Sequence, residues 1–341
     1  MPILTADHIT ALSASLAVAP VPVNYFARYL MSVYTTVKPA QLGEFLKRYD
    51  LGEQVSLRAI AAGITNTNYY LDTDAGEFVL TLYEHHSDDE LDFILGLQQH
   101  LADKGVSCSS PVTDRRGGLY STLNQRPAAI IHKVAGEVEP NPGLDQCAAI
   151  GEELATMHFA GQDYPGVRNN PRGVEWWIAT GDMLDPVLDS DDRQLIDGTI
   201  RDFARFSISD LPGGAIHADL FHDNALFQAG SLGGIIDFDY ACNDSFVFDL
   251  AVLMNDWGIG AQGELIMARI DAILHGYEKK RRLADLERKA LPLMLQAAAL
   301  RFWLSRLYDK TFPLSGELTY VKCPDEFRKL LVLRNDNPPS C

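Results

Sequence analysis

The sequence predicts an α+β protein in two lobes. A small antiparallel sheet with one helix against it comes first, and a mostly helical half carrying a few hairpin strands follows. Three observations predict this. Between residues 55 and 83, three short strand-like runs are separated by turn-forming clusters. Residues 135–143 gather Gly, Pro and Asn into a linker. Beyond them helical apolar spacing dominates, interrupted only around residues 214–239. At 341 residues the chain has length for about two domains.

Residues 1–30 stand apart as an extension of uncertain structure. Their apolar run, 9–23, is vaguely like a signal core, yet no Lys or Arg precedes it, only Asp7 and His8; an upstream start codon and a short helix docked on the domain are the readings. Met31 opens a more ordinary start. Residues 38–49 have amphipathic helical spacing, with Leu42, Phe45 and Leu46 on one face. Strands are expected over 55–62, 67–73 and 78–83. Gly63-Ile64-Thr65-Asn66 forms the first turn and Asp74-Ala75-Gly76 the second. Residues 88–104 are helical, stopped by Gly105. Two further strands, 119–123 and 128–134, complete a first lobe over 31–134. In the second lobe, 144–341, helices are expected over 144–160, 175–184, 193–206, 247–257, 264–277 and 291–307.

Composition excludes several classes. The net charge of −17 argues against nonspecific binding to nucleic acid or to an anionic membrane. No apolar run reaches membrane-spanning length. The five cysteines are odd in number and lack a CxxC spacing. A disulfide framework or zinc site is therefore not expected, and a reducing cytoplasm fits.

The chemistry lies in residues 214–239, GAIHADLFHDNALFQAGSLGGIIDFD. Asp219 follows His217, Asn224 comes five residues later, and Asp237 ends a strand-like run. Two acids and an amide thus meet at the ends of hairpin strands. Phosphoryl transfer needs an in-line hydroxyl, a carboxylate to accept its proton, and a divalent cation on the phosphates. Asp219 is the candidate base. Asn224 and Asp237 are candidate ligands of magnesium, which prefers oxygen donors. His217 is expected to hydrogen-bond backbone near Asp219.

His-x-Asp-x-x-x-x-Asn followed by Ile-Asp-Phe resembles the signature of the protein-kinase-like fold in its small-molecule branch. That branch holds the aminoglycoside phosphotransferases, choline kinases and one type of homoserine kinase. Further likeness to the homoserine kinases lies in Met31-Ser-Val-Tyr-Thr-Thr-Val, Gly63-Ile-Thr-Asn-Thr-Asn, Glu77-Phe-Val-Leu-Thr-Leu-Tyr-Glu and Leu300-Arg-Phe-Trp-Leu-Ser-Arg-Leu. The resemblance implies an ATP- and Mg2+-dependent kinase of a small hydroxylated substrate, most simply L-homoserine on the route to threonine. Other implied readings are a kinase of choline, ethanolamine or an aminoglycoside-like amine, and a non-catalytic nucleotide-binding relative. It implies a nucleotide-binding lobe over 31–134, a hinge over 135–143, and a catalytic and substrate-binding lobe over 144–341. Asp249 matches the Asp of the next helix and reads as a structural brace.

The resemblance also marks departures. Ala218 stands where a protein kinase carries Arg, and only about ten residues separate Asp237 from the next helix, too few for an activation loop with a peptide dock. A small substrate is expected. The phosphate-covering position holds Gly63, Thr65, Asn66, Thr67 and Asn68, whose backbone and side chains are candidates to donate to phosphate. Thr81 stands where most relatives place a phosphate-gripping Lys. Without that Lys its usual partner, Glu90, reads as a solvated acid at a helix N-terminus. For the carboxylate of homoserine, Arg301 and Arg306 are the candidates. They lie about 140° apart on one helix, so one is expected to bind the ligand and the other to brace an acid. His222 is a candidate substrate contact or a turn cap. His158, Asn170, Arg172, Trp176 and Trp177 either line the pocket or serve the helix ends and core. The run Lys279–Arg282 reads as a solvated helix end. Oligomeric state is not legible.

Overall fold

The computed structural model describes residues 35–60, 66–313 and 322–336. The expected extension over 1–30, together with Gly63 and Thr65, lies outside the described residues.

The front lobe is an antiparallel sheet of five strands in the order β1-β2-β3-β5-β4. The strands are β1 (Gln54–Ile60), β2 (Thr67–Thr73), β3 (Gly76–Leu82), β4 (Ser121–Leu123) and β5 (Arg126–His132). Register runs through Tyr69 opposite Leu80 and Leu80 opposite Ile130. The two-residue turn Asn124-Gln125 between β4 and β5 has both residues at positive φ, the mirror-image turn that matches strand twist. Both faces of the sheet are covered. Helix α1 (Pro39–Leu46) packs Leu42, Phe45 and Leu46 against Leu71, Phe78, Leu80 and Ile130. Helix α2 (Asp88–Asp103) packs Leu91 and Leu95 against Tyr83, Ala129 and Ile131. The alternation of Leu80 with Val79 and of Ile130 with Ile131 feeds these two clusters, as the strand period of two requires. So the sheet carries a helix on each face, where the sequence assigned one.

The linker contains a short strand, β6 (Glu137–Val138), which pairs with β8 (Ala225–Gln228). β8 pairs in turn with β9 (Ser231–Ile235) across Ala229-Gly230. A second small sheet pairs β7 (Gly213–Ile216) with β10 (Cys242–Ser245). Around these hairpins stand α3 (Leu144–Ala160), α4 (Val174–Leu184), α5 (Ser190–Arg205), α6 (Phe246–Trp257), α7 (Met267–Glu278), α8 (Asp285–Thr311) and α9 (Pro324–Asp336).

α6 is the centre of the core, with every residue but one from Phe246 to Trp257 buried. α8 packs against it and against α9. α8 begins at Asp285 rather than near Pro292, because Glu287, Ala290 and Leu291 ahead of the proline are already buried. α3 and α7 meet at very close range. A Cβ at Gly151 would run into the carbonyl oxygen of Ile273, and one at Gly276 into that of Ala148. Arg281 corrects the reading of 279–282 as a solvated end: it is largely buried, stacked on Phe246 and ion-paired with Glu287. Lys279 and Lys280 do stay at the surface, against Glu152.

Candidate active site

The loop from His217 to Asn224 is wound by α6. The buried carboxylate of Asp249, in the first turn of α6, accepts from the amides of His217 and Ala218, each at 2.8 Å. Ala218 is thereby held at φ +63°, a conformation that costs an L-residue about 1–2 kcal/mol. At the other end of α6, Asp256 accepts from the amide of His222 at 2.6 Å and from its Nδ1 at 2.8 Å. Trp257 Nε1 donates to the Leu220 carbonyl at 3.3 Å. One helix thus grips both ends of the loop. Asp249 is the brace that the sequence implied, and His222 is bonded to this scaffold.

His217 fixes the backbone of Asp219. Its Nδ1 accepts the Asp219 amide at 3.2 Å, so its Nε2 carries the proton and donates to the Ile236 carbonyl at 3.0 Å. Burial lowers its pKa and keeps the ring neutral, although Asp249 pulls the other way. His158 is likewise buried inside the fold. Its Nε2 meets Asp249 at 3.0 Å and its Nδ1 meets Tyr277 at 2.8 Å.

Asn224 donates from Nδ2 to the Asp219 carbonyl at 2.8 Å, which leaves Oδ1 as the lone acceptor of its amide. The Ile236 amide donates to the Asn224 carbonyl at 2.9 Å, setting Asp237 beside it. Asp237 stands at φ +65°. Burial pushes the Asp237 carboxyl up to about 7, with the neighbouring Asp239 adding to the rise. Burial pushes Asp239 up to about 6 against the pull of Arg168 and Asn66. The Asn224 amide oxygen and the buried Asp237 carboxyl, with the Asp239 carboxyl close behind it, are a donor set short of positive charge. A magnesium ion fits it, since it binds through one or two carboxylates and completes its shell with phosphate oxygens and water. Among the described residues no group of three or more His, Cys, Asp or Glu is placed to hold a metal ion.

Asp219 faces α8. The guanidinium of Arg301, which is 3% exposed, lies 3.3 Å from Asp219 Oδ1. It stacks on Phe302 at 3.7 Å and on Tyr240 at 4.6 Å. Burial pushes the Asp219 carboxyl up to about 7, with Arg301 holding it back and Asp237 adding to the rise. A carboxylate poised near neutrality is suited to take a proton from a hydroxyl. Arg306 points elsewhere. It pairs with Glu326 at 2.5 Å and donates to the Cys323 carbonyl at 3.0 Å, bracing α9.

A neutral His217 ring that fixes the Asp219 backbone, Asn224 and Asp237 at the ends of paired strands, and a front sheet covered on both faces characterise this fold. The family model described as the phosphotransferase enzyme family matches residues 56–286. The chain belongs to the phosphotransferase enzyme family. It is 46% identical to a homoserine kinase of Methylobacillus flagellatus over 301 residues, 88% of this chain and 94% of that protein. It is 43% identical to a homoserine kinase of Neisseria meningitidis, covering 89% of this chain and 99% of the relative. Among solved structures it resembles an amicoumacin kinase with a TM-score of 0.68 at 19% identity, over 92% of this chain and 94% of that one. An ethanolamine kinase of Plasmodium vivax gives 0.60 at 12% identity, over 90% and 96%. The fold is therefore kinase-like, and the chain is a phosphotransferase with an alcohol group as acceptor.

In this phosphotransferase the side chains expected to cover phosphate that are described are bonded within the fold. Asn66 Nδ2 donates to Asp239 Oδ2 at 2.6 Å. Thr67 Oγ1 donates to Glu84 Oε1 at 2.7 Å and accepts from the Thr35 amide at 3.1 Å. Asn68 Oδ1 accepts from Thr81 Oγ1 at 2.8 Å, so the threonine in place of the Lys is spent on the neighbouring strand. Glu90 corrects the expectation of a solvated acid. Its Oε2 caps α2 through the Ser87 amide at 3.0 Å, and its Oε1 meets Arg168 Nη2 at 2.9 Å. Arg168 carried no local signal in the sequence. Arg172 stacks on Trp176 at 4.4 Å and lies 5.8 Å from the Tyr240 ring, so it shares the Tyr240 platform with Arg301. Trp177 is core, its Nε1 bonded to the Arg172 carbonyl.

Proposed function

We propose that this protein phosphorylates the side-chain hydroxyl of L-homoserine with ATP, in a reaction that needs Mg2+, giving O-phospho-L-homoserine and ADP for threonine synthesis. The relatives' names support the acceptor, at 43% and 46% identity over most of both chains. The observation that carries the reading here is the buried Arg301 guanidinium beside Asp219. An acceptor with a carboxylate needs a cation within reach of the base, whereas a cationic amino alcohol does not.

Asp219 orients the acceptor hydroxyl and accepts its proton. The freed oxygen bonds to the γ-phosphorus while the bond to the β–γ bridging oxygen breaks, and ADP leaves. Arg301, with Arg172 beyond the Tyr240 ring, holds the acceptor carboxylate. Asn224 and Asp237 would hold Mg2+, which neutralises charge on the transferring phosphoryl. Of the residues expected to cover the phosphates, Asn66, Thr67 and Asn68 lie in the described part of the chain. Among the described residues Cys108, Cys147, Cys242 and Cys323 are free, and a cytoplasmic place is part of this proposal. No helix among the described residues is long and apolar enough to cross a membrane.

An ADP-release assay over homoserine, 3-aminopropanol, ethanolamine, choline and an aminoglycoside tests the reading. Homoserine is expected to lead by at least a hundredfold in kcat/KM. Equal turnover of 3-aminopropanol, which lacks the carboxylate, would remove Arg301 from its role. ATP turnover on none of them would leave a nucleotide-binding relative.

A further inference from the structure

Phosphoryl transfer leaves one structural question in this chain. The strand position that usually supplies a lysine holds Thr81, bonded to Asn68. The acid on α2 nonetheless has a cationic partner, and that partner comes from the other lobe. Arg168, in the segment between α3 and α4, reaches Glu90 Oε1 with Nη2 at 2.9 Å. Its Nη1 donates to the carbonyls of Asp239 and Ala241, both at 2.8 Å. Its own backbone is fixed as well: its amide donates to Asn243 Oδ1 at 2.8 Å, and its carbonyl accepts the Asn243 amide at 2.7 Å. The side chain is 10% exposed.

We propose that Arg168 is a positioning residue for the metal-binding turn: it ties Glu90 of the front lobe to the backbone of Asp239 and Ala241 and so holds Asp237 in place, the link that a lysine on β3 would otherwise supply through the phosphates. The proposal rests on reading Asp237 as a magnesium ligand. The turn needs such a support. Asp237 sits at positive φ, which an L-residue keeps only when its surroundings fix it. Two carbonyls after it are pinned by a single nitrogen of a rigid fork. The other end of that fork is anchored on a carboxylate whose second oxygen caps α2. An ammonium has one nitrogen and no fork, so lysine at 168 cannot span both partners at these distances. Asn66 adds a second strap from the front lobe to the Asp239 carboxylate. Metal position, α2 and the front sheet are thereby coupled through the protein, without a cation on β3.

The test uses the full chain with ADP and Mn2+ as a paramagnetic stand-in for Mg2+. Water-proton relaxation gives the Mn2+ dissociation constant, and thermal unfolding gives stability. Arg168→Lys and Glu90→Gln are each expected to weaken Mn2+ binding about tenfold, as loss of support behind a metal ligand does. The half-saturating Mg2+ concentration in turnover should rise by a like factor. The double variant should be no weaker than the weaker single one, because the two residues act through one link. Arg193→Lys, a surface ion-pair change against Asp182 and Asp197, is expected to leave Mn2+ affinity unchanged. Asp237→Asn provides the reference. If Asp237→Asn weakens Mn2+ but Arg168→Lys and Glu90→Gln change only the unfolding temperature, the positioning role falls and the ligand reading stands. If Asp237→Asn itself leaves Mn2+ affinity unchanged, both fall.

Discussion

Replacing Asp249 with Asn tests whether α6 sets the catalytic loop. The carboxylate accepts three hydrogen bonds, from His217 N, Ala218 N and His158 Nε2. Bonds to a charged group contribute about 1.5–3 kcal/mol each, and a buried donor left unpaired costs about 1–3 kcal/mol. Asparagine can keep one oxygen acceptor, but its NH2 then faces an N–H that it cannot accept. The expected loss is about 2–4 kcal/mol, within the 5–15 kcal/mol typical of a folded domain, so the variant should fold at 20 °C. The loop is expected to unwind from the left-handed geometry of Ala218 and carry Asp219 with it. A displacement of about 1 Å costs about a hundredfold in rate. Urea unfolding and kcat, both at 20 °C, read the two effects. An unchanged unfolding midpoint together with kcat within twofold of the parent would refute the reasoning. The pH dependence has a definite sign. Burial works against the Asp249 charge, yet the hydrogen bonds from His158 and the His217 amide outweigh it, and its pKa lies below the ordinary value. Its contribution to stability is therefore present above about pH 4 and lost as the pH falls below that, and Asp249→Asn should remove that acid limb.

Other outcomes follow from the same geometry. Asp219→Asn should lower kcat by at least a thousandfold with little change in unfolding temperature, measured on a sample whose circular dichroism matches the parent. Because burial holds Asp219 up near 7 and Arg301 opposes the rise, kcat/KM should climb with pH through a limb at or below 7. Arg301→Met should move that limb to higher pH and raise the homoserine KM at least tenfold, both read from initial rates. Ala218→Gly should be neutral or stabilising by about 1 kcal/mol, while Ala218→Val should destabilise by about 2 kcal/mol or more, since positive φ tolerates glycine and resists a branched side chain. Thr81→Lys should not raise kcat, because Glu90 already has Arg168.

Local physics made much of this legible. β2 and α3 fall at the predicted bounds, 67–73 and 144–160, because turn residues and a capping glycine punctuate them. The hairpin chemistry around Asp219 was readable because its residues lie within twenty positions of one another. The contacts of Arg168 were not, since Glu90 stands 78 residues away and nothing in periodicity encodes such a meeting. β10 was missed because Cys242–Ser245 has the composition of a turn and is a strand only through its pairing with β7. α9 was missed although its signal was present: Phe327, Leu330, Leu331 and Arg334 are buried at spacings of three and four. Its charged residues masked the stripe, and with it the acid that holds Arg306.

The close meeting of α3 and α7 reaches further than its own seam. His158 stands two turns beyond Gly151 on α3, and Tyr277 follows Gly276 on α7. Their side chains bond at 2.8 Å only while the two backbones stay nearly in touch. That bond aims His158 at Asp249, and Asp249 shapes the loop that presents Asp219. A single methyl at Gly151 or Gly276 would wedge the helices apart. The damage would surface as a slow enzyme, because the width of one gap between two helices is written into the pose of the reacting carboxylate.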